Sequence, residues 1–314
     1  MRIVYFGTPQ LAVPTLAATA SHHEITAVVT QPDRPRGRSG KPAPSAVKVW
    51  ALENGLAVHQ PEKLHDGTFA TWLAEQKPDL CVVAAYGRLL KQPVLDVPPC
   101  GWLNLHPSLL PRWRGPSPIQ TAILEGDAAT GVTIMRIVLA MDAGDIVLQE
   151  STPIAQEETA GELTDRLADM GAVQMVKAIE LVERKVAPAK PQEPSCITVS
   201  KVFEKKHGRI CWAEDAQQID NRIRACNPWP MAHCMFRKQL CRILRAVPVD
   251  TPAEAAPGTI VSVEKDRILV AAGKGQLAVT QLQLAGRKVL DAVVFLRGVS
   301  ISPGERFEEI TDAG

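Results

Sequence analysis

Short, almost continuously apolar runs recur along the first half of the chain, with helical stretches between them. The runs are RIVYF at 2–6, EITAVVT at 24–30, DLCVVAAYG at 79–87, WLNLH at 102–106 and GVTIMRIVLAMDAGDIV at 131–147. Strands that are apolar on both faces are typical of parallel sheets covered by helices. The alternation therefore predicts an α/β domain built on a doubly wound, mostly parallel sheet.

The pattern changes beyond a proline-rich stretch, APAKPQEPSC at 187–196. Such a composition, without apolar periodicity, is typical of a linker. The residues that follow contain short strand-like runs separated by turns, with one helical stretch near 217–225. This pattern indicates a small β-barrel of the oligonucleotide/oligosaccharide-binding (OB) type. We therefore predict a first domain over 1–186, a linker over 187–206 and a barrel domain over 207–314.

Composition argues against several classes of protein. Apolar residues make up 46% and charged residues 22% of the chain, which is ordinary for globular domains. The seven cysteines form no C-x-x-C pair, so we expect reduced thiols rather than a disulfide frame or a zinc site. No apolar run reaches the roughly 20 residues of a membrane span, and the N-terminus lacks the pattern of a secretory signal. These features predict a cytoplasmic protein without a membrane partner or a bound metal.

Basic residues are concentrated in two places. Residues 201–250 contain ten Lys or Arg and five Asp or Glu, although the whole chain has a net charge of only +1. The second place is QPDRPRGRSGKPAP at 31–44, a stretch without apolar periodicity that indicates a long loop. Its basic residues are Arg34, Arg36, Arg38 and Lys41. Both places suit a polyanion such as nucleic acid, and both are equally compatible with a solvated basic surface.

The strongest candidate site is the string NLHPSLLPRWRG at 104–115. Asn104 and His106 end an apolar run, and side chains at positions i and i+2 of a strand project from the same face. At the carboxyl end of a parallel strand, that face borders the crevice in which open α/β sheets bind ligands. An amide and an imidazole there can donate to a developing oxyanion, and His106 can also transfer a proton. A lone Asn-x-His pair would more often be a turn amide and a half-buried histidine, but the length of the string favours a site.

A second candidate is MDAGDI at 141–146, which follows the apolar run VTIMRIVLAM. We expect Asp142 to lie at the end of that strand, where its carboxylate would stabilise and orient the imidazolium of His106. Asp145 competes for this role, and a turn in which both carboxylates accept backbone N–H groups is an equally good interpretation. No G-x-G-x-x-G or phosphate-binding loop follows the first strand, so no dinucleotide or ATP site is predicted.

Together these strings resemble the signature of the folate-dependent formyltransferases. The family's Asn, His and Asp set matches Asn104, His106 and Asp142. Further matching strings run from the N-terminus into the barrel: FGTP, TQPDRPRGR, VKV, AYG, GVTIM and RACNPWPM. The resemblance is strongest with the branch of the family that formylates initiator methionyl-tRNA. It implies a Rossmann-like formyltransferase domain followed by an OB-like domain that binds tRNA.

The resemblance also implies a reaction that needs no metal. The α-amine of methionine on the initiator tRNA would attack the formyl carbon of 10-formyltetrahydrofolate. Asn104 and a protonated His106 would donate to the tetrahedral oxyanion, which stabilises charge that develops only in the transition state. Asp142 would hold His106 charged and help move a proton from the amine to the departing folate nitrogen.

Two binding surfaces follow from the same resemblance. The folate pocket would be lined by residues after two of the strands: Tyr86, Gly87, Arg88, Leu89, Ser108, Leu109, Leu110 and Pro111. The tRNA would be bound by basic residues of the 31–44 loop and of the barrel segment: Arg34, Arg36, Arg38, Lys41, Lys206 and Arg209. Arg88 departs from the aliphatic residue typical of the family after the Tyr-Gly pair. A monomer in the bacterial cytoplasm is implied.

Two other functions stay open from the residues alone. A related formyltransferase that acts on a small amine, such as glycinamide ribonucleotide or an amino-sugar nucleotide, would share the Asn, His and Asp set. It would not require the basic loop or the basic barrel. A nucleic-acid-binding protein with an inactive first domain would keep the basic surfaces, but the intact set of three residues argues against it.

Overall fold

The computed structural model describes residues 1–35, 40, 42–64 and 67–310. The chain divides into two compact units, each built from three segments. The first unit comprises Met1–Pro118, Ala129–Pro153 and Thr164–Lys201. The second unit comprises Ile119–Ala128, Ile154–Leu163 and Val202–Gly314. Two short segments that precede the proline-rich stretch thus pack with the second unit, which a linear division of the sequence does not anticipate.

Among the described residues, nine strands and six α-helices precede the proline-rich stretch. In chain order they are β1 (Arg2–Gly7), α1 (Val13–His22), β2 (Glu24–Val29), β3 (Arg34–Pro35), β4 (Pro42–Ala43), α2 (Ala46–Glu53), β5 (Val58–His59), α3 (Thr68–Glu75), β6 (Leu80–Ala84), α4 (Gln92–Leu95), β7 (Trp102–His106), α5 (Pro118–Leu124), β8 (Ala129–Arg136), β9 (Ile146–Pro153) and α6 (Ala160–Glu183). Short 3-10 turns occur at Gln10–Ala12, Pro194–Cys196 and Lys205–Gly208.

The first unit contains a seven-stranded sheet in the order β5-β2-β1-β6-β7-β8-β9. The five strands from β5 to β7 are parallel, and β8 and β9 are antiparallel to their neighbours. The predicted mostly parallel sheet is therefore confirmed. From β1 the chain adds β2 and then β5 on one side of the sheet, and it then returns to add β6 on the other side of β1. The direction in which strands are added therefore reverses beside β1. Ligands of open α/β sheets bind at the carboxyl ends of the strands next to such a reversal.

The apolar run at 131–147 forms two strands rather than one. Strand β8 ends at Arg136 and β9 begins at Ile146. The residues between them form a loop in which Val138, Leu139 and Met141 are exposed. The expectation that Asp142 directly follows a strand is wrong, because the run of apolar residues continues for five positions into this loop.

Aromatic side chains pack the part of the core that lies beneath β1 and β6. The ring of Phe6 lies 5.4 Å from that of Tyr86 and 4.9 Å from that of Trp102, measured between centroids. All three side chains are buried, and the Trp102 indole N–H donates to the carbonyl of Leu95 at 3.1 Å. Large buried rings with few rotatable bonds give the ends of these strands a well-defined support.

The second unit is built mainly on antiparallel strands. Its further elements are α7 (Ala216–Ala225), β10 (Ala232–Phe236), β11 (Gln239–Val249), β12 (Ile260–Val263), β13 (Ile268–Ala271), β14 (Gln276–Leu284), β15 (Leu290–Asp291), α8 (Ala292–Gly298) and β16 (Phe307–Glu308). The sheet runs in the order β12-β13-β14-β11-β10-β16. Thr259 pairs with Arg306 across its two ends, which curls the sheet back on itself. The predicted small β domain of the OB-like kind is confirmed.

The start of α6 and the residue before it form hydrogen bonds with the rest of the second unit. Thr159 and Glu162 form a reciprocal helix-capping pair, with the Thr159 N–H donating to the Glu162 carboxylate at 2.8 Å. Arg245 donates to the same carboxylate at 2.6 Å, and Gly161 donates its N–H to the carbonyl of Asn227 at 3.0 Å. Within the described part of the chain, no helix combines the length and apolar character needed to cross a membrane.

Candidate functional site

Asn104 and His106 lie on β7, between the parallel strand β6 and the antiparallel strand β8. Asn104 pairs with Val83 on one side and Met135 on the other. It is half-buried, and its side-chain amide makes no hydrogen bond with any residue that the structure describes. His106, two positions on, projects from the same face of the sheet. The amide of Asn104 is therefore available to a ligand beside the imidazole.

The imidazole of His106 is held by one of its two nitrogens. Nε2 lies 2.9 Å from the carbonyl oxygen of Trp113, and because a carbonyl only accepts, Nε2 carries the hydrogen. Nδ1 lies 3.7 Å from Oδ2 of Asp142, which is too long for a hydrogen bond. The ring is thus held through Nε2. Nδ1 faces the carboxylate of Asp142 but does not form a hydrogen bond with it.

Burial lowers the pKa of His106, and this effect outweighs the opposite effects of Asp142 and of the Trp113 carbonyl. The cause is that His106 is only 4% exposed, and desolvation disfavours the charged form. The lowered pKa favours the imidazole in which Nδ1 carries the lone pair. The protonated His106 expected during the reaction stays a prediction.

Asp142, and not Asp145, approaches His106. Its Oδ2 accepts a hydrogen bond from the Gly115 N–H at 2.8 Å, and its backbone has a φ of +50°. This left-handed conformation is uncommon outside glycine and occurs often at functional sites. Asp145 instead offers its backbone carbonyl to the Arg136 N–H at 2.9 Å, which continues the β8–β9 hairpin.

The loop that contains Asp142 reaches His106 by an indirect route. Because β8 is antiparallel to β7, Arg136 pairs with Leu103 near the start of β7. His106 lies three residues further along β7, about 10 Å away. The chain must therefore fold back along the sheet between Arg136 and Asp142, and contacts outside the hairpin are needed to hold it there.

Those contacts come from residues 190–200, which we name the strap. Lys190 and Ile146 exchange two backbone hydrogen bonds at the start of β9. Gln192 donates through Nε2 to the carbonyls of Asp142 and Gly144, each at 2.8 Å. Sequence analysis placed the strap in a linker and missed Gln192, because a single glutamine among prolines carries no local signal.

The strap also contacts the loop after β7. Arg114 donates through Nε to Oε1 of Gln192 at 2.9 Å, and its backbone exchanges hydrogen bonds with Thr198 and Ser200 at 3.0 and 2.7 Å. The Trp113 N–H donates to Oγ1 of Thr198 at 2.9 Å. The two loops that hold His106 from either side are thus bound to one segment of the chain.

Four of the residues predicted to bind folate follow β6. Tyr86 is buried, and its carbonyl accepts hydrogen bonds from the Gln31 amide at 2.7 Å and the Thr8 hydroxyl at 3.3 Å. Gly87 has a φ of +75°. Arg88 donates through its guanidinium to the carbonyls of Pro61 and Glu62 at 2.7 and 2.8 Å, and Leu89 is 63% exposed. Gly87 and Leu89 are thus open to a ligand, while Tyr86 supports them from the core.

The other four follow β7. Leu109 and Pro111 are half-buried, whereas Ser108 and Leu110 are buried. The buried hydroxyl of Thr133 donates to the Ser108 carbonyl at 2.6 Å and accepts from the Leu110 N–H at 3.2 Å. Ser108 and Leu110 therefore shape this turn from inside rather than line an open surface.

A cleft of about 530 Å³ opens beside Gly87 and Arg88, at the carboxyl ends of the parallel strands. Its lining consists of Gln31, Pro32, Asp33, Arg34, Glu62, Gly87 and Arg88. Asp33 is held by Lys48 and Gln60, each at 2.7 Å, and these contacts lower the pKa of its carboxyl. The cleft contains two predicted folate residues and one predicted tRNA residue, Arg34.

The predicted tRNA residues are only partly described. Arg34 is exposed on β3 in the first unit. In the second unit Lys206 is exposed and forms a surface ion pair with Glu204 at 2.8 Å, and Arg209 is half-buried. Arg36, Arg38 and Lys41 lie outside the described residues. Among the described residues, no group of three or more His, Cys, Asp or Glu is placed to hold a metal ion.

Comparison with known proteins gives matches over both units. The family described as Formyl transferase matches residues 1–179, and the one described as Formyl transferase, C-terminal domain, matches residues 203–300. A methionyl-tRNA formyltransferase of Methylobacillus flagellatus is 45% identical, over 98% of this chain and 99% of its own length. One of Moorella thermoacetica is 44% identical, over 97% and 98%.

Solved structures share the fold at lower identity. WlaRD, a sugar 3N-formyl transferase, superposes with a TM-score of 0.66 at 17% identity, over 92% of this chain and 99% of its own. HypX from Aquifex aeolicus, in complex with tetrahydrofolic acid, has a TM-score of 0.63 at 18% identity, over 99% of this chain. The chain spans about half the length of HypX. From the matches over both units and the near full-length identity, the chain belongs to the formyl transferase family.

Proposed function

We propose that this chain transfers the formyl group of 10-formyltetrahydrofolate to the α-amine of methionine on initiator methionyl-tRNA. The observation that carries this proposal is the 45% identity to a methionyl-tRNA formyltransferase over 98% of the chain. Such a match includes both the α/β unit and the small β unit. A small-amine formyltransferase can share both units, as WlaRD does over 92% of this chain at 17% identity, so the identity and not the presence of the second unit carries the proposal.

The reaction starts with attack of the neutral α-amine on the formyl carbon. A carbon–nitrogen bond forms, and the formyl oxygen gains a negative charge in a tetrahedral intermediate. The amide of Asn104, which has no hydrogen-bond partner among the described residues, donates to this oxygen. A donor placed before the charge develops stabilises the transition state more than the ground state.

His106 is the proton acceptor. In its neutral resting form the lone pair of Nδ1 faces the site, while Nε2 stays bound to the Trp113 carbonyl. Nδ1 takes the proton that the attacking amine loses, and the imidazolium then gives it to N10 of the folate as the bond between N10 and the formyl carbon breaks. One proton and one formyl group are thus moved, and no oxidant or metal enters the balance.

Asp142 stabilises the imidazolium that exists between the two proton transfers. Its carboxylate lies 3.7 Å from Nδ1, close enough for a charge interaction and too far to compete for the proton through a short hydrogen bond. Two opposite charges in a buried site attract more strongly than in water. Asp142 therefore raises the proton affinity of His106 when the amine must be deprotonated.

For the folate, Gly87, Leu89, Leu109 and Pro111 are the predicted residues with open surface. HypX bound to tetrahydrofolic acid and WlaRD in the presence of 5-N-formyl-THF support a folate donor on this fold. Arg88, whose guanidinium closes onto the carbonyls of Pro61 and Glu62, shapes the pocket edge. For the tRNA, we propose the basic residues of the 31–44 loop together with Lys206 and Arg209, in a monomer of the bacterial cytoplasm.

The test offers the purified chain 10-formyltetrahydrofolate with two acceptors, methionyl initiator tRNA and glycinamide ribonucleotide, separately and in competition. Formylated methionyl-tRNA, with no formylated ribonucleotide, is the expected product. Formylated ribonucleotide alone would overturn the proposed acceptor and keep the chemistry of Asn104, His106 and Asp142. No product from either acceptor, with folate still bound, would overturn the proposed activity.

A further inference from the structure

We propose that Gln192 is a positioning residue that sets the geometry between Asp142 and His106. The inference rests on the proposed function, since it concerns the same three residues. Gln192 touches none of the reacting atoms. It acts through the backbone of the loop that contains Asp142 and through Arg114 in the loop after β7.

The side-chain hydrogen bonds of Gln192 all go to two loops, the one that contains Asp142 and the one after β7. The residue is 9% exposed. Both hydrogens of its amide nitrogen are used, one at the Asp142 carbonyl and one at the Gly144 carbonyl, each at 2.8 Å. Its oxygen accepts from Arg114 at 2.9 Å. Because the amide is planar, its three hydrogen bonds have fixed directions, and together they restrain the position of the loop that contains Asp142.

The loop needs such a restraint because of how it reaches the site. It departs near the start of β7, and Val138, Leu139 and Met141 within it are exposed, so little apolar packing holds it in place. Asp142 itself has a left-handed backbone conformation, which costs about 1–3 kcal/mol unless the surroundings impose it. Gln192 bonds the carbonyl of Asp142 itself and the carbonyl of Gly144, two positions on.

The same side chain connects the two supports of the imidazole. On one side, Arg114 follows Trp113, whose carbonyl binds Nε2 of His106. On the other side, Asp142 faces Nδ1. Gln192 is bonded to Arg114 and to Asp142, so it fixes the distance between the group that holds the ring and the group that stabilises its charge.

The test uses Gln192→Met, which keeps the volume and removes all three hydrogen bonds. A displacement of about 1 Å in a catalytic group costs about 100-fold in rate. We therefore expect kcat to fall about 100-fold, with KM for both substrates little changed. Gln192→Glu keeps an acceptor for Arg114 but has no donor for the two carbonyls, so it should show the same loss. The matched control is Gln174→Met, since Gln174 is similarly buried in the same unit and bonds Glu150 instead.

The deciding measurement is a double-mutant cycle with Asp142→Asn. If Gln192 acts through Asp142, Gln192→Met should have almost no further effect on kcat in the Asp142→Asn background, because residues that act as a unit are not additive. Independent, multiplicative effects would overturn the proposal, as would a loss no greater than that of Gln174→Met.

Two further points keep the test decisive. If Gln192→Met does not fold, Arg114→Met loosens the bridge from its other end, and its loss of kcat should likewise vanish in the Asp142→Asn background. If the wild-type chain formylates only a small amine, the proposal that the acceptor is methionyl-tRNA fails. The double-mutant cycle can then be measured with that amine as the acceptor. Failure of the proposed function and failure of the positioning role are thereby distinguished.

Discussion

Nδ1 of His106 lies 3.7 Å from Oδ2 of Asp142, and Nε2 of the same ring is bound to the Trp113 carbonyl at 2.9 Å. The bonded nitrogen orients the ring, and burial lowers the pKa of the imidazole. In the mechanism that we propose, the other nitrogen accepts the proton and Asp142 stabilises the imidazolium that results.

The first prediction concerns the ionisation of His106. Its pKa should lie below the ordinary value of 6.5, because desolvation is the dominant effect. Asp142→Asn should lower this pKa further, since the carboxylate raises it. The measurement is an NMR titration of imidazole-labelled protein, with His106→Gln assigning the signal among the seven histidines. A rise of the pKa in Asp142→Asn would contradict the assignment.

The same ionisation contributes to stability. The folded-state pKa of His106 is lowered, so the unfolded chain binds the proton more readily. The contribution is therefore fully present above pH 6.5 and is lost as pH falls from 6.5 through the lowered pKa. When the free energy of unfolding is measured with denaturant at several pH values, His106→Gln should lose this part of its pH dependence, and the rest should be unchanged.

The second prediction concerns Asn104. Asn104→Ala should lower kcat by about 100-fold to 1,000-fold, the usual effect of removing one donor to an oxyanion. Folate binding and unfolding should change little, because the amide bonds no described residue. The matched control is Asn54→Ala, since Asn54 donates to the Trp50 carbonyl at the end of α2, outside the site. A kcat similar to that of the control would remove Asn104 from the mechanism.

The third prediction concerns Gly144, which passes very close to the β8 backbone. A Cβ at this position would lie 1.8 Å from the carbonyl oxygen of Arg136. Gly144→Ala should therefore displace the Asp142 loop, lowering kcat and reducing the free energy of unfolding by about 3 kcal/mol. Gly298→Ala is the control, because a Cβ there meets no atom within 4 Å. Equal behaviour of the two variants in unfolding and turnover would contradict this close approach.

The fourth prediction concerns the basic surface of the second unit. If Lys206 contacts a tRNA phosphate, Lys206→Ala should raise the Kd for tRNA and reduce the slope of log Kd against log salt by about one. Folate binding should be unaffected. Lys177→Ala, which removes an exposed lysine of α6, serves as the control. An unchanged slope in Lys206→Ala would place the phosphate contact elsewhere.

The fifth prediction concerns the cap of α6. Hydrogen bonds from Thr159, with a smaller contribution from Arg245, lower the pKa of Glu162 to about 2. Glu162→Ala should therefore cost about 1 kcal/mol of stability at pH 7, the usual value of a cap. Because the carboxylate is stabilising only when charged, this difference should narrow as pH falls from 4.5 towards 2. Denaturant unfolding at pH 7 and pH 4 measures it, with the exposed Glu157→Ala as the control.

The control separates the cap from a general loss of negative charge. Glu157 lies one turn before α6 and is exposed. If Glu157→Ala is as destabilising as Glu162→Ala, the effect belongs to surface charge and the capping interpretation is wrong.

The sequence alone determined the class of fold and much of the candidate site. Continuous apolar runs such as those around Val82 and Leu103 are required by strands buried on both faces, so the mostly parallel sheet could be predicted. The spacing of Asn104 and His106 fixed their common face, because side chains alternate along any strand. These are local properties, and they follow from residues that are neighbours in the sequence.

Tertiary structure decided the rest. Because β8 is antiparallel to β7, the loop after it must return along the sheet to bring Asp142 to His106. The burial of His106 lowers the pKa of its imidazole. Gln192 lies 50 residues from Asp142 in the chain, in a stretch whose composition indicates a linker. Desolvation and hydrogen bonds between distant segments depend on what surrounds a residue in space, and a local pattern of residue types does not contain that information.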